Sequence, residues 1–324
     1  MYTFEITERL AGRKLGSILQ SEFKMSRRLL RHLIDNDGVK VDGQTMYLTA
    51  RVSIGQSVTI LLPKETSHIL PEKMNLDIRY EDDEVIVINK TKGVLTHPTA
   101  HERSGSLLAG VMHYLGEDGE IPHSVHRLDR DTSGVVMFAK HAHSHHLFDL
   151  ALREGKMHRS YVAMVYCPEL PNLDKDEVGF STISLPIAGD PNQPSRRVIS
   201  EEGQPAITHF KILDKVGKAA VVELVLETGR THQIRLHMAS IGMPLLGDRD
   251  YTIAYSGRPA PRDAESYRKM MMRQALHAYA LAWTHPITKQ KKCVTAPVAD
   301  DMVELWSELG GSARVWEQLL ESNR

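Results

Sequence analysis

Apolar positions change period several times along the chain, and each change predicts an element. Residues 2–7 alternate as a short strand. Leu15, Ile18, Leu19 and Phe23 recur at helical spacing, as do Leu29, Leu30, Leu33 and Ile34, with Ser26 standing where the second helix needs an N-cap. Gly38-Val39-Lys40-Val41-Asp42-Gly43 reads as a strand closing on a turn, and residues 58–62 as another strand. Residues 64–75 lose all periodicity and predict a linker. Beyond it, residues 76–80 and 85–88 form a hairpin, and residues 106–115 an amphipathic helix with Leu107, Leu108, Val111 and Leu115 inward. A polar loop opens near Gly116 and ends in the buried run 135–139. A helix continues through Leu147, Leu150 and Leu152, and a strand covers 159–166. Residues 206–213 pair with 219–226, and 275–286 with 289–295; two amphipathic helices close the chain between 300 and 321.

The loop ahead of the buried run carries the strongest chemistry: His126-Arg127-Leu128-Asp129-Arg130-Asp131-Thr132-Ser133-Gly134. Short hydroxyls and a glycine are turn-forming residues, so Asp129 is presented on a turn beside a rigid strand. Flanking Arg127 and Arg130 favour its ionised form, which suits a nucleophile or a base. A second dense run, residues 227–242, holds Thr231 as an expected N-cap, an apolar stripe of Ile234, Met238 and Ile241, and Gly242 as the stop. In the strand 159–166, Tyr161 shares a face with Ala163 and Val165, where most tyrosines are core residues.

Composition adds limits. A chain of 324 residues suggests two domains, and 41% hydrophobic with 25% charged residues is ordinary for a globular protein. Two distant cysteines, Cys167 and Cys293, argue against a disulfide framework or a zinc site and fit a reducing cytoplasm. Neither a signal peptide nor a membrane span is expected. The net charge of −1 conceals a basic cluster of Arg13, Lys14, Lys24, Arg27, Arg28 and Arg31 on two consecutive helices. Most such runs are solvated faces. His141 and His145, at i and i+4, share a helix face, yet no neighbouring cysteine or acid completes a metal set. No metal is expected there.

Four of these segments, in order, resemble the RluA-like RNA pseudouridine synthase family: H-R-L-D-x-x-T-S-G at 126–134, N-K-T-K-G followed by H-P at 89–98, Y-x-A at 161–163, and T-G-R-T-H-Q-I-R-L-H with G-M-P-L-L-G-D at 228–248. Thr91 departs from the proline usual in the second. The resemblance covers residues 76–297. It implies an α+β fold, a mixed and mainly antiparallel sheet with flanking helices around a central cleft. It implies catalysis by Asp129, with Arg235 paired to it and Tyr161 against the target base. Arg127 would prop the vacated base position or contact phosphate, and Arg230 and Lys90 would bind RNA, although Lys90 is equally a strand cap, the role expected of His97. Apart from the resemblance, Arg196 and Arg197, in the loop-rich stretch 168–205, are candidate phosphate contacts.

Residues 13–62 resemble a small α/β S4 RNA-binding domain, whose grip would come from Arg27, Arg28 and Arg31. The expected division is 1–63, a linker 64–75, and a catalytic domain 76–324. The implied activity is uridine-to-pseudouridine isomerisation in RNA, with 23S ribosomal RNA as default and transfer RNA possible. No cofactor, metal or membrane is required, and nothing demands more than a monomer. The rivals are a non-catalytic RNA-binding ribosome-assembly factor and a metal-dependent phosphodiesterase.

Overall fold

The computed structural model describes every residue except 64, 117–120, 258, 260 and 322–324, with backbone alone at 320 and 321. Part of the expected linker and of the polar loop after Gly116 therefore lies outside the described residues. The chain divides into two compact units. One comprises Met1–His68 with Leu115–Ile121, the other Ile69–Tyr114 with Pro122–Arg324.

In the first unit, β1 (Tyr2–Glu5) is followed by α1 (Leu15–Ser21), α2 (Arg27–Asp35), β2 (Val39–Val41), β3 (Gln44–Thr45) and β4 (Ser57–Ile60). The strands form one antiparallel sheet in the order β1-β4-β2-β3. Of the positions that the spacing selected, Leu15, Ile18, Leu19, Leu30 and Leu33 pack on Val39, Val41, Val58 and Ile60 in the core, while Phe23, beyond the end of α1, Leu29 and Ile34 are only partly buried against it. Ser26 caps α2, its hydroxyl accepting the Leu29 N–H at 3.1 Å. The opposite face of α2 leaves Arg27, Arg28 and Arg31 exposed.

The second unit is built on a ten-stranded sheet. Its elements are β5 (Ile78–Glu81), β6 (Val85–Lys90), α3 (Leu107–Leu115), β7 (His123–Ser124), β8 (Ser133–Ala139), α4 (Ala142–Arg153), β9 (Met157–Tyr166) and β10 (Ser181–Ser184). A small hairpin, β11 (Ile187–Gly189) and β12 (Arg197–Ile199), precedes β13 (Ile207–Val216), β14 (Ala219–Leu226) and α5 (Gln233–Ser240). A short 3-10 turn, Ile253–Ser256, leads to α6 (Ala264–Lys269), β15 (Leu276–Thr284), β16 (Lys291–Thr295), α7 (Asp300–Glu308) and α8 (Arg314–Glu321). The strand order is β10-β13-β14-β9-β15-β8-β6-β5, with β16 on β15 and β7 on β8.

Only the β15–β8 pairing is parallel among the described strands, so the sheet is mixed but mainly antiparallel and the class is α+β. That parallel pairing lies beside the Asp129 loop. Gly134 there has φ +112°, and a Cβ on it would lie 2.1 Å from the Ala278 carbonyl oxygen, so only glycine admits the approach of β15. The closing helices bury Trp306 and Trp316 against Val162, Met164, Tyr166 and Tyr279, which gives the C-terminal segment a packing role.

Two local expectations need correction. The residue preceding α5 is His232, in a left-handed conformation (φ 58°) with no side-chain cap bond, and Thr231 lies one position outside. The helix is also buried from Gln233 to Ala239 rather than along one stripe. It is wedged into the unit, so polar residues on it must find partners inside.

Candidate active site

A cleft of about 830 Å³ opens over one end of β9, the Asp129 loop and the start of α5. Its lining includes Arg127, Asp129, Arg159, Tyr161, Arg230 and Arg235, five of them singled out by sequence.

The Asp129 loop is held through its backbone. Thr96 Oγ1 donates to the Leu128 carbonyl (2.8 Å) and accepts the Leu128 N–H (3.1 Å). Lys90 Nζ (2.8 Å) and the Gly93 N–H (3.0 Å) both donate to the Arg130 carbonyl. Arg273 Nη1 reaches the Asp131 carbonyl at 3.1 Å. The Asp129 side chain, 22% exposed, is left to face the cleft. Such anchoring fixes the position of a side chain without occupying its oxygens.

Lys90 therefore needs correction as an RNA contact. It is 1% exposed, and its ammonium donates to the Thr91, Val94 and Arg130 carbonyls at 2.8–2.9 Å, which uses all three N–H groups. Burial pushes its pKa down to about 7, opposed by the charges of Asp129 and Asp131. It braces the loop and has no donor left for a phosphate.

The two arginines flanking Asp129 do not pair with it. Arg130 pairs with Glu102, and Arg127 is exposed at the cleft mouth. The cation that does approach is Arg235, with Nη1 3.7 Å from Asp129 Oδ2. This is an ion-pair distance and too long for a hydrogen bond. Arg235 spends its other donors elsewhere: Nε and Nη2 grip Asp248 at 2.7 and 2.8 Å, and Nη2 also reaches Asp250 at 2.8 Å. Its guanidinium lies over the Tyr251 ring at 5.0 Å. Burial disfavours the charge, but these carboxylates overcome it and raise the Arg235 pKa further. Arg235 is thus a fixed positive post whose place does not depend on Asp129. Asp248 belongs to the G-M-P-L-L-G-D run, yet spacing offered no sign that it would be the bidentate partner.

Tyr161 is 5% exposed on the floor, and burial raises its hydroxyl pKa. His126, which also lines the cleft, is buried, and burial, then the charge of Arg159, pushes its pKa down to about 3, so it is neutral. Arg230 is exposed, with Nε on the Pro205 carbonyl (3.1 Å), between this cleft and a second groove of about 440 Å³ along the β11–β12 hairpin. Arg196 pairs with Asp250 at 3.3 Å, and Arg197 with the Pro194 and Arg196 carbonyls. His141 caps α4, its Nδ1 accepting the Ser144 N–H at 3.1 Å. Among the described residues no group of three or more His, Cys, Asp or Glu is arranged to hold a metal.

Residues 84–240 match the family model described as RNA pseudouridylate synthase. The uncharacterized RNA pseudouridine synthase YhcT of Bacillus subtilis is 37% identical over 306 residues, covering 93% of this chain and 94% of that protein. The chain belongs to the RNA pseudouridine synthase family. The ribosomal large subunit pseudouridine synthase D of Haemophilus ducreyi is 34% identical, with 94% of this chain and 93% of that protein covered. A solved structure, human RNA pseudouridylate synthase domain containing 4, shares the fold at TM-score 0.55 and 22% identity, over 72% of this chain and 92% of that one. The synthase is accordingly an isomerase of uridine in RNA.

Proposed function

We propose that this synthase modifies uridines of large-subunit ribosomal RNA, with Asp129 as the reacting carboxylate and without metal or cofactor. What supports the reading is the meeting, in one cleft, of an anchored carboxylate, a locked guanidinium 3.7 Å away and a buried tyrosine, in a chain similar to enzymes named for the ribosomal large subunit. Isomerisation carries no net redox change and needs no energy source. The C1′–N1 bond breaks and leaves the sugar centre electron-poor, so an ionised carboxylate helps either as nucleophile at C1′ or as a base at the sugar.

The target uridine must leave its stack, at a cost of a few kcal/mol. Tyr161 would meet the ring, a contact worth ~1–3 kcal/mol. Arg127, exposed and next to the loop, would prop the vacated position or bind phosphate, and Arg230 would guide the strand toward the second groove. The first unit would act as an S4-like RNA grip through Arg27, Arg28 and Arg31. We infer a cytoplasmic role, which the two free cysteines suit, and a monomer.

The test is pseudouridine mapping of total RNA with and without the gene, with Asp129→Asn as complement. Loss of one or a few ribosomal sites that Asp129→Asn does not restore is expected. Restoration by that variant would remove Asp129 from the chemistry, and loss confined to transfer RNA would change the substrate.

A further inference from the structure

Arg159 is the buried cation of the cleft that has no counter-ion among the described residues. It lies two positions before Tyr161 on β9, hence on the same strand face, and is 6% exposed. Its Nη2 donates to the Thr228 carbonyl at 3.1 Å. Its Nε N–H has no partner among the described residues, and no carboxylate among them pairs with it. Enclosed His126 beside it is neutral. Gly229 leaves the room it occupies, since a Cβ there would lie 2.4 Å from Arg159 Nη1. A buried guanidinium without an anion is a costly arrangement, so the missing partner should be a ligand.

We propose that Arg159 holds a carbonyl oxygen of the departing uracil and stabilises the negative charge that develops there. The proposal rests on uridine isomerisation at this cleft. When C1′–N1 breaks, its electron pair leaves with the ring and spreads onto O2 and O4, while Asp129 either bonds to C1′ as nucleophile or takes the C2′ proton as base, so that the C2′–H pair fills C1′. The ring turns, C5 supplies the pair for the new C5–C1′ bond and loses its proton, and N1 gains one. The Asp129–C1′ bond breaks as C5–C1′ forms in the nucleophilic route, and Asp129 returns the C2′ proton in the base route, so atoms and electrons balance. A donor that is free in the resting enzyme and engaged as charge develops favours the transition state over the ground state. Depth selects base over phosphate: phosphates stay hydrated at the rim, where Arg127 and Arg230 are exposed, whereas Arg159 lies on the floor beside Tyr161.

The test compares wild type, Arg159→Met, Arg159→Lys and Asp129→Asn in the full chain. Target RNA carries uridine, 2-thiouridine or 4-thiouridine at the modified site, because sulfur is a poor acceptor. Single-turnover rate, RNA Kd and Tm are measured. Arg159→Met is expected to slow the reaction about 10²–10³-fold, with Kd within about twofold and Tm unchanged or higher, since an unpaired buried charge is removed. Arg159→Lys should recover about tenfold of that loss. One of the thio substitutions should slow wild type and lose its effect in Arg159→Met.

A wild-type rate in Arg159→Met overturns the proposal, and so does weaker RNA binding at an unchanged rate, which would make Arg159 a phosphate clamp. If Arg159→Met does not fold, wild-type rates unaffected by either thio substitution overturn it independently. Turnover retained by Asp129→Asn sinks the reading of the site itself. An inactive Asp129→Asn beside a fully active Arg159→Met sinks only the role of Arg159.

Discussion

Arg27, Arg28 and Arg31 stand in water on one face of α2, with no carboxylate partner among the described residues, while Arg159 and Arg235 are each 6% exposed inside the cleft. The same side chain is used under two dielectric regimes. In water a guanidinium's field is screened within about 10 Å, so surface arginines add affinity for a polyanion roughly one phosphate at a time and tolerate displacement. In the cleft each hydrogen bond is strong, each missing partner is costly, and direction matters. Arg235 meets that demand by locking onto Asp248 and Asp250. Arg159 leaves it unmet, which is why a ligand is the natural completion there.

The largest expected effect breaks the cleft itself. Asp129→Asn should lower single-turnover pseudouridine formation by ~10³-fold or more, with RNA affinity and unfolding midpoint close to wild type. A rate within tenfold of wild type would end the assignment. Next comes Arg235→Met. Asp248 is 1% exposed and would lose its bidentate cation, so urea unfolding should show a loss of ~3–5 kcal/mol, beyond any effect on rate. A neutral result would mean that the buried charges here are not cooperative.

The surface half of the comparison predicts the reverse pattern. Replacing Arg27, Arg28 and Arg31 together by Ala should leave stability within ~0.5 kcal/mol and the rate at saturating RNA unchanged. It should weaken RNA binding and lower the slope of log K against log salt by ~0.7–0.9 for each phosphate that the variant no longer neutralises. An unaltered slope would reduce that face to a solvated surface.

The smallest effect concerns Asp301, which lies between these extremes at 25% side-chain exposure. Burial alone would raise its pKa, but Arg273 and Lys92 overcome this and hold the carboxyl at about 2, below its ordinary 3.8. A carboxylate depressed by folding contributes stability that is complete above about pH 4 and is lost as pH falls through 2. Asp301→Asn should therefore cost ~1–2 kcal/mol near neutrality and flatten the stability curve between pH 4 and 2, as read by denaturant titration. Because Arg273 also holds the Asp131 carbonyl, the same variant should loosen the Asp129 loop and modestly lower the rate.

Much of the fold was legible because periodicity is local. The paired runs 76–80 and 85–88, 206–213 and 219–226, and 275–286 and 289–295 correspond to hairpins in the sheet, with ends shifted by a few residues. Ser26 caps α2 as its position requires, and the glycine closing the H-R-L-D run adopts a positive φ. The gathering of Asp129, Tyr161 and Arg235 into one cleft was anticipated from family resemblance, since their spacing of 32 and then 74 positions carries no geometric signal of its own.

Tertiary structure decided the rest, for one reason. A side chain's role depends on which backbone and charged groups surround it, and those come from strands far apart in sequence. Lys90 looked available for phosphate until β6 brought it beneath the Arg130 carbonyl, 40 residues on. By charge and position alone Arg127 and Arg130 looked like the partners of Asp129, but neighbouring side chains on the loop point in different directions, and the cation that arrives is Arg235 of α5, to which only the family resemblance had pointed. Nothing in the sequence singled out Arg159 at the start of its strand. Only the packing of β9 against β14 and β15, with Gly229 above it, shows that it is buried, charged and unmatched.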